Sequence, residues 1–86
     1  MKPRRLLKRI RSGAVKNVDF GDFVRLIEAL GFRFDHQRGD HKYFRHPDLQ
    51  VSLNIQEEGG QAKPYQVRQL VKVMKKYSLD VEVDRG

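Results

Sequence analysis

Three histidines, His36, His41 and His46, stand five residues apart in a stretch otherwise rich in arginine, lysine and aromatic side chains. Histidine's ordinary pKa, about 6.5, suits proton transfer near neutral pH. His41 has the best setting of the three: it follows the turn-like run Gln37-Arg38-Gly39-Asp40, opens an extended segment, and is flanked by Arg38 and Lys42. A base with cations around it is what metal-free RNA cleavage requires. The base takes the proton of a 2′-hydroxyl, that oxygen attacks the adjacent phosphate, and the cations hold the phosphate and offset its developing charge. The competing reading of His41 is a surface hairpin histidine. His36 and His46 each fall at a strand end beside a turn and read as structural. Odd spacing on extended chain sends side chains to opposite faces, so a three-histidine metal site is not expected. Tyr43 and Phe44 must also point apart. Phe44 is assigned to the core, and Tyr43 to the His41 face, where a ring can stack on an unpaired base.

Other chemistries find no footing. The 86 residues include no cysteine, which removes disulfides, thiolate zinc sites and thiol catalysis and fits a reducing, cytoplasmic compartment. Gly59-Gly60 lacks the spacing and the following Lys-Ser/Thr of a phosphate loop. The acids are scattered, Ser12, Ser52 and Ser78 lie in no nucleophile motif, and Arg38-Gly39-Asp40 matches an adhesion signal by letters only. A chain this short buries roughly 60–65% of its unfolded surface, so no deep cofactor cavity, and no cofactor, is expected. No apolar run is long enough to span a membrane or to serve as a signal peptide.

The elements that must position His41 follow from periodicity. Residues 3–12 read as a short helix with Pro3 in its first turn, Leu6, Leu7 and Ile10 as its apolar stripe and Gly13 after it. Residues 14–18 read as a linker. Asp19 caps a second helix over 20–30, with Phe20, Phe23, Val24, Ile27 and Leu30 on one face and Val18 placed to staple onto Phe23. Phe32-Arg33-Phe34-Asp35 alternates as a half-buried strand does, and His41–Arg45 and Val51–Ile55 make two more. Residues 57–61 read as a flexible loop. Pro64 opens a last helix over 64–77, its stripe Val67, Leu70, Val71 and Met74. Val81-Glu82-Val83 alternates and suits a short edge strand or a frayed end. The expected domain plan is a basic helix and linker over 1–18, a core over 19–79 and a tail over 80–86. The fold class is α+β: α-β-β-β-α, a three-stranded antiparallel sheet covered by two helices as in the double-stranded-RNA-binding fold, with an extra basic N-terminal helix.

Charge singles out that extra helix. Residues 1–16 hold seven of the 18 basic residues and none of the 11 acidic ones, so the whole net charge of +7 sits there. Arg4, Arg5, Lys8 and Arg9, with Lys63 and Arg68 around the start of the last helix, are candidate phosphate contacts. An acidic protein is the alternative partner of the arm.

Three segments in order resemble the HicA (YcfA-like) family of toxin–antitoxin systems. Arg38-Gly39-Asp40-His41-Lys42-Tyr43-Phe44-Arg45-His46-Pro47 looks like the family's Gly-Ser-His-His-x-Phe/Tyr hairpin. Ala62–Leu70 looks like the start of its last helix, and Asp19–Ile27 with Leu30-Gly31-Phe32 like its first core helix and following strand. The resemblance implies an mRNA interferase of double-stranded-RNA-binding-like fold, with His41 at the catalytic histidine and a HicB-type antitoxin that binds the toxin and masks its RNA site. Asp40 stands where the family usually has Ser, and Lys42 where it has a second His. A carboxylate there repels an incoming phosphate, and Lys42 is expected to compensate. The reading is therefore an endoribonuclease toxin acting on mRNA, hetero-oligomeric with its antitoxin. Alternatives are a non-catalytic RNA-binding module and a protein adaptor with a basic arm.

Overall fold

A computed structural model describes residues 1–81 of the chain. Its elements run α1 (Pro3–Arg11), α2 (Phe20–Ala29), β1 (Arg33–Arg38), β2 (His41–Arg45), β3 (Ser52–Glu58), β4 (Gln61–Ala62) and α3 (Pro64–Tyr77). The strands form one antiparallel sheet in the order β1-β2-β3-β4. This is the expected α+β layout with its N-terminal helix. The proposed tail strand at residues 81–83 lies mostly outside the described residues.

One core holds the layers together. β2 and β3 turn Phe44, Leu53 and Ile55 inward, onto Phe23, Ile27, Val67 and Leu70 of α2 and α3. Leu6, Leu7 and Ile10 of α1 join the same core, and α1 packs chiefly against α2. Removing water from these side chains is the main stabilising term, about 1.5–3 kcal/mol for each large one. The caps act as the residue types imply: Asp19 accepts from the Asp22 N–H at 3.0 Å, and Pro3 and Pro64 stand in first turns, where a missing N–H costs nothing.

Three sequence expectations need correction. Residues 57–61 do not form a loop: Glu57 pairs with Ala62 and Glu58 with Gln61 around Gly59-Gly60. Both glycines have positive φ, 59° and 81°, the conformation a two-residue type I′ hairpin demands and only such residues adopt cheaply. The end of the linker also joins the sheet's edge, through Ala62 N–H donating to Val18 O at 2.8 Å and Phe20 N–H to Gly60 O at 2.9 Å. Second, the first strand is not half-buried. Phe32 is buried but precedes β1, and all six residues of β1 are exposed because it is an edge strand beyond the helices' cover. Third, Gln37 and Arg38 belong to β1, so the turn is only Gly39-Asp40, between the paired Arg38 and His41.

Candidate functional site

The helices cover one face of the sheet and leave the other open. Cross-strand partners share a face, so the register assigns each side chain. Arg38 pairs with His41, His36 with Tyr43, and Arg33 with Arg45; on the other side His41 pairs with Gln56, Tyr43 with Asn54 and Arg45 with Ser52. These nine residues, with the Glu58–Gln61 pair at the β4 end, make up the open face, and all are polar. Phe34, Phe44, Lys42, Leu53 and Ile55 take the helix side.

Two features of β1 compose this face. A two-residue turn brings the chain straight back, so the odd spacing of His36 and His41 returns them to the same side. That overturns the separation expected from spacing, and it moves His36 from a strand end to the middle of a strand. The second feature is a bulge at Asp35, where the register shifts between Phe34 and His36. One extra residue resets the alternation, so Arg33 joins His36 and Arg38 on the open face while Phe34 packs edge-on against Phe44 with ring centroids 5.7 Å apart. At the sheet edge Phe34 nevertheless keeps 53% of its surface exposed.

His41 is half-buried, and its Nδ1 lies 2.9 Å from Asn54 Oδ1. An amide oxygen only accepts, so Nδ1–H donates and Nε2 keeps the free lone pair. Orienting the ring this way leaves one nitrogen to take a proton. The backbone beneath Asn54 is held in turn by Gln66, a buried side chain of α3. Its Oε1 accepts from the Gln56 N–H at 3.0 Å, and its Nε2 donates to Asn54 O at 3.3 Å. Where β4 stops short of β3's full length, this amide stands in for a peptide of the missing strand.

Beside His41 the His36 and Tyr43 rings stack, with centroids 4.3 Å apart and planes within 5°. His36 Nδ1 donates to Asp35 Oδ2 at 2.8 Å. His46 lies elsewhere: its Nδ1 accepts from the Asp48 N–H at 3.1 Å, and its ring packs edge-on against buried Phe32. Among the described residues no group of three His, Asp or Glu side chains is placed to hold a metal ion.

The expected phosphate contacts divide among several surfaces. Arg38 and Tyr43 share the open face with His41. Lys42 does not: its Nζ lies over the Phe20 ring, 5.4 Å from the centroid, on the helix side. It cannot be the cation beside His41, because adjacent strand residues point oppositely. Lys63 and Arg68 belong to the start of α3, which borders β3 rather than the open face. Arg4, Arg5, Lys8 and Arg9 stand on α1, which packs on the helices and not on the sheet. Sequence reasoning passed over Asn54, His36, Arg33 and Arg45. Asn54 had a signal: with Leu53 and Ile55 inside, it had to point out. The bulge left no such trace.

These features define a class: a small α+β sandwich whose uncovered sheet carries two histidines and three arginines. Within that class the family is shown, because the sequence pattern described as the HicA toxin of bacterial toxin–antitoxin systems matches residues 20–77, and the chain belongs to this family. It is a family of ribonuclease-type toxins, and membership implies an antitoxin partner. α1 lies outside the matched residues. No curated protein and no solved structure matches the chain significantly. No described helix is long and apolar enough to cross a membrane.

Proposed function

We propose that this toxin is a metal-independent endoribonuclease that cleaves mRNA with His41 as general base, and that a HicB-type antitoxin restrains it. The observation that carries the reading is the His41–Asn54 hydrogen bond on an open, cationic sheet face. His41 Nε2 takes the proton of a 2′-hydroxyl. The freed oxygen forms a bond to the adjacent phosphorus, and the P–O5′ bond breaks with its electron pair going to O5′, which takes a proton from water. The products are a 2′,3′-cyclic phosphate and a 5′-hydroxyl end. Arg38, directly across from His41, is the cation for the charge on the phosphate.

The test is cleavage of unmodified RNA in the presence of EDTA. The parent protein is expected to cut, and DNA to be inert for want of the 2′-hydroxyl. His41→Ala should lose about 10²–10⁴-fold in rate, as removal of a general acid–base group does. Parental cleavage by a folded His41→Ala protein would end the assignment. RNA binding without cleavage by either protein would make the chain a binding module.

A further inference from the structure

The open face continues along β1 and β2 past His41, and its next two cross-strand pairs hold features the cleavage reading leaves unused. The first is the His36–Tyr43 stack, whose rings lie nearly parallel and whose His36 side chain is 47% exposed. Asp35 occupies its Nδ1, which holds the ring in place. Two flat rings already in register cost little further ordering when a third is added. The second feature is the pairing of Arg33 with Arg45. Like charges directly opposite each other on a sheet repel. Neither arginine has an ion-pair partner among the described residues, and nor does Arg38. The two arginines line the wall of a shallow groove closed by the loop from His46 to Val51. Asp35 and Asp48 also border that groove, so the guanidinium groups rather than the groove as a whole suit an anion.

We propose that this end of the sheet is a nucleotide subsite for single-stranded RNA, in which a base stacks on the His36–Tyr43 pair and the neighbouring phosphate bridges Arg33 and Arg45. The proposal rests on the ribonuclease reading and adds to it a second point of attachment, further along β1 and β2 from the reacting phosphate at His41 and Arg38. A phosphate between the arginines turns their repulsion into two charge-assisted contacts. The exposed stack selects unpaired bases, since a duplex keeps its own bases stacked and offers no free face. With three arginines on it, the same surface suits a polyanion better than it suits the charge-depleted centre of a protein interface.

The probe is a fluorescent 2′-O-methyl oligoribonucleotide of about eight residues, single-stranded or annealed to its complement. It has no free 2′-hydroxyl, so it binds without being cut, and anisotropy against the full chain reads binding apart from catalysis. The single strand is expected to bind more tightly than the duplex. Arg33→Ala/Arg45→Ala should lower the slope of log affinity against log salt by about 0.7, the change for the one phosphate that the two arginines hold. Arg33→Lys/Arg45→Lys should keep most of that slope. His36→Leu and Tyr43→Leu should each weaken binding about 5–100-fold at fixed salt without changing the slope, and Tyr43→Phe should bind as the parent does. Circular dichroism confirms that each variant is folded. Unchanged slope and affinity in the arginine and leucine variants would overturn the subsite. So would a loss of antitoxin affinity in the arginine variant with RNA binding intact, which would assign the surface to a protein. Failure of the subsite leaves His41-dependent cleavage standing, and loss of cleavage with binding intact sinks only the catalytic reading.

Discussion

At the scale of single residues, the proposed role of His41 depends on Asn54, which fixes its ring. A free imidazole turns and exchanges tautomers; one that donates to a fixed amide oxygen at 2.9 Å presents a single basic nitrogen. Asn54 touches no substrate in this reading and acts through His41. Asn54→Ala should therefore lower kcat of RNA cleavage by more than it raises KM, and Asn54→Asp, which keeps an acceptor at the same place, should recover much of the loss. A change in KM alone would make Asn54 a substrate contact. Gly31 is a second residue with a definite requirement. Its φ is +103°, and a Cβ there would stand 2.7 Å from His46 Nε2. Gly31→Ala should cost about 1–3 kcal/mol in a denaturant melt, from backbone strain together with the clash. Adding His46→Ala should recover the clash and leave the strain, so incomplete rescue is expected.

At the scale of elements, the site depends on how β3 ends. β4 is only two residues long, and the edge of β3 next to Asn54 is completed by Gln66. Gln66→Leu leaves a part-buried N–H and carbonyl unpaired, at a cost of about 1–3 kcal/mol. Hydrogen exchange should show protection falling first at the Gln56 amide, ahead of the rest of β3. A fall spread evenly over the sheet would mean that Gln66 contributes packing alone. The hairpin from β1 to β2 depends less on burial, because β1 is wholly exposed and held by its ladder and by the rings it shares with β2.

At the scale of the whole molecule, two cationic surfaces lie on different sides. One is the open face, with Arg33, Arg38 and Arg45; the other is α1, on the helix layer. An RNA held by the open face alone leaves α1 free. Neutralising Arg4, Arg5, Lys8 and Arg9 should leave the salt slope for an oligonucleotide of about eight residues unchanged. For a message-length RNA that wraps the protein it should flatten the slope by up to about 0.7 log units for each phosphate no longer neutralised. No change for either RNA would give the arm to a protein partner. The antitoxin prediction also belongs here. Phe34, exposed at the sheet edge beside the open face, offers an apolar contact to an antitoxin that covers the proposed RNA surface. Antitoxin in excess should block oligonucleotide binding, and Phe34→Ser should weaken that block. Simultaneous binding of RNA and antitoxin would defeat masking of the sheet.

The sequence by itself determined the three helices, β2 and β3 and their inward faces, since these follow from local periodicity and caps: Asp19 before α2, Pro64 opening α3, Phe44 in and Tyr43 out. It also marked His41, through residue type beside a turn. Lys42 was misplaced as the neighbouring cation, although strand alternation alone would have sent it to the helix side. The tertiary structure decided what pairing and register decide. The Asp35 bulge and the two-residue turn gathered Arg33, His36 and Arg38 onto one face with His41. The Gly59-Gly60 hairpin made a strand of an apparent loop. The packing of α1 on α2 carried the most basic segment of the chain away from the open face. A bulge is one residue's change of phase, and its energy lies in contacts with the partner strand and the core, so no local pattern announces it.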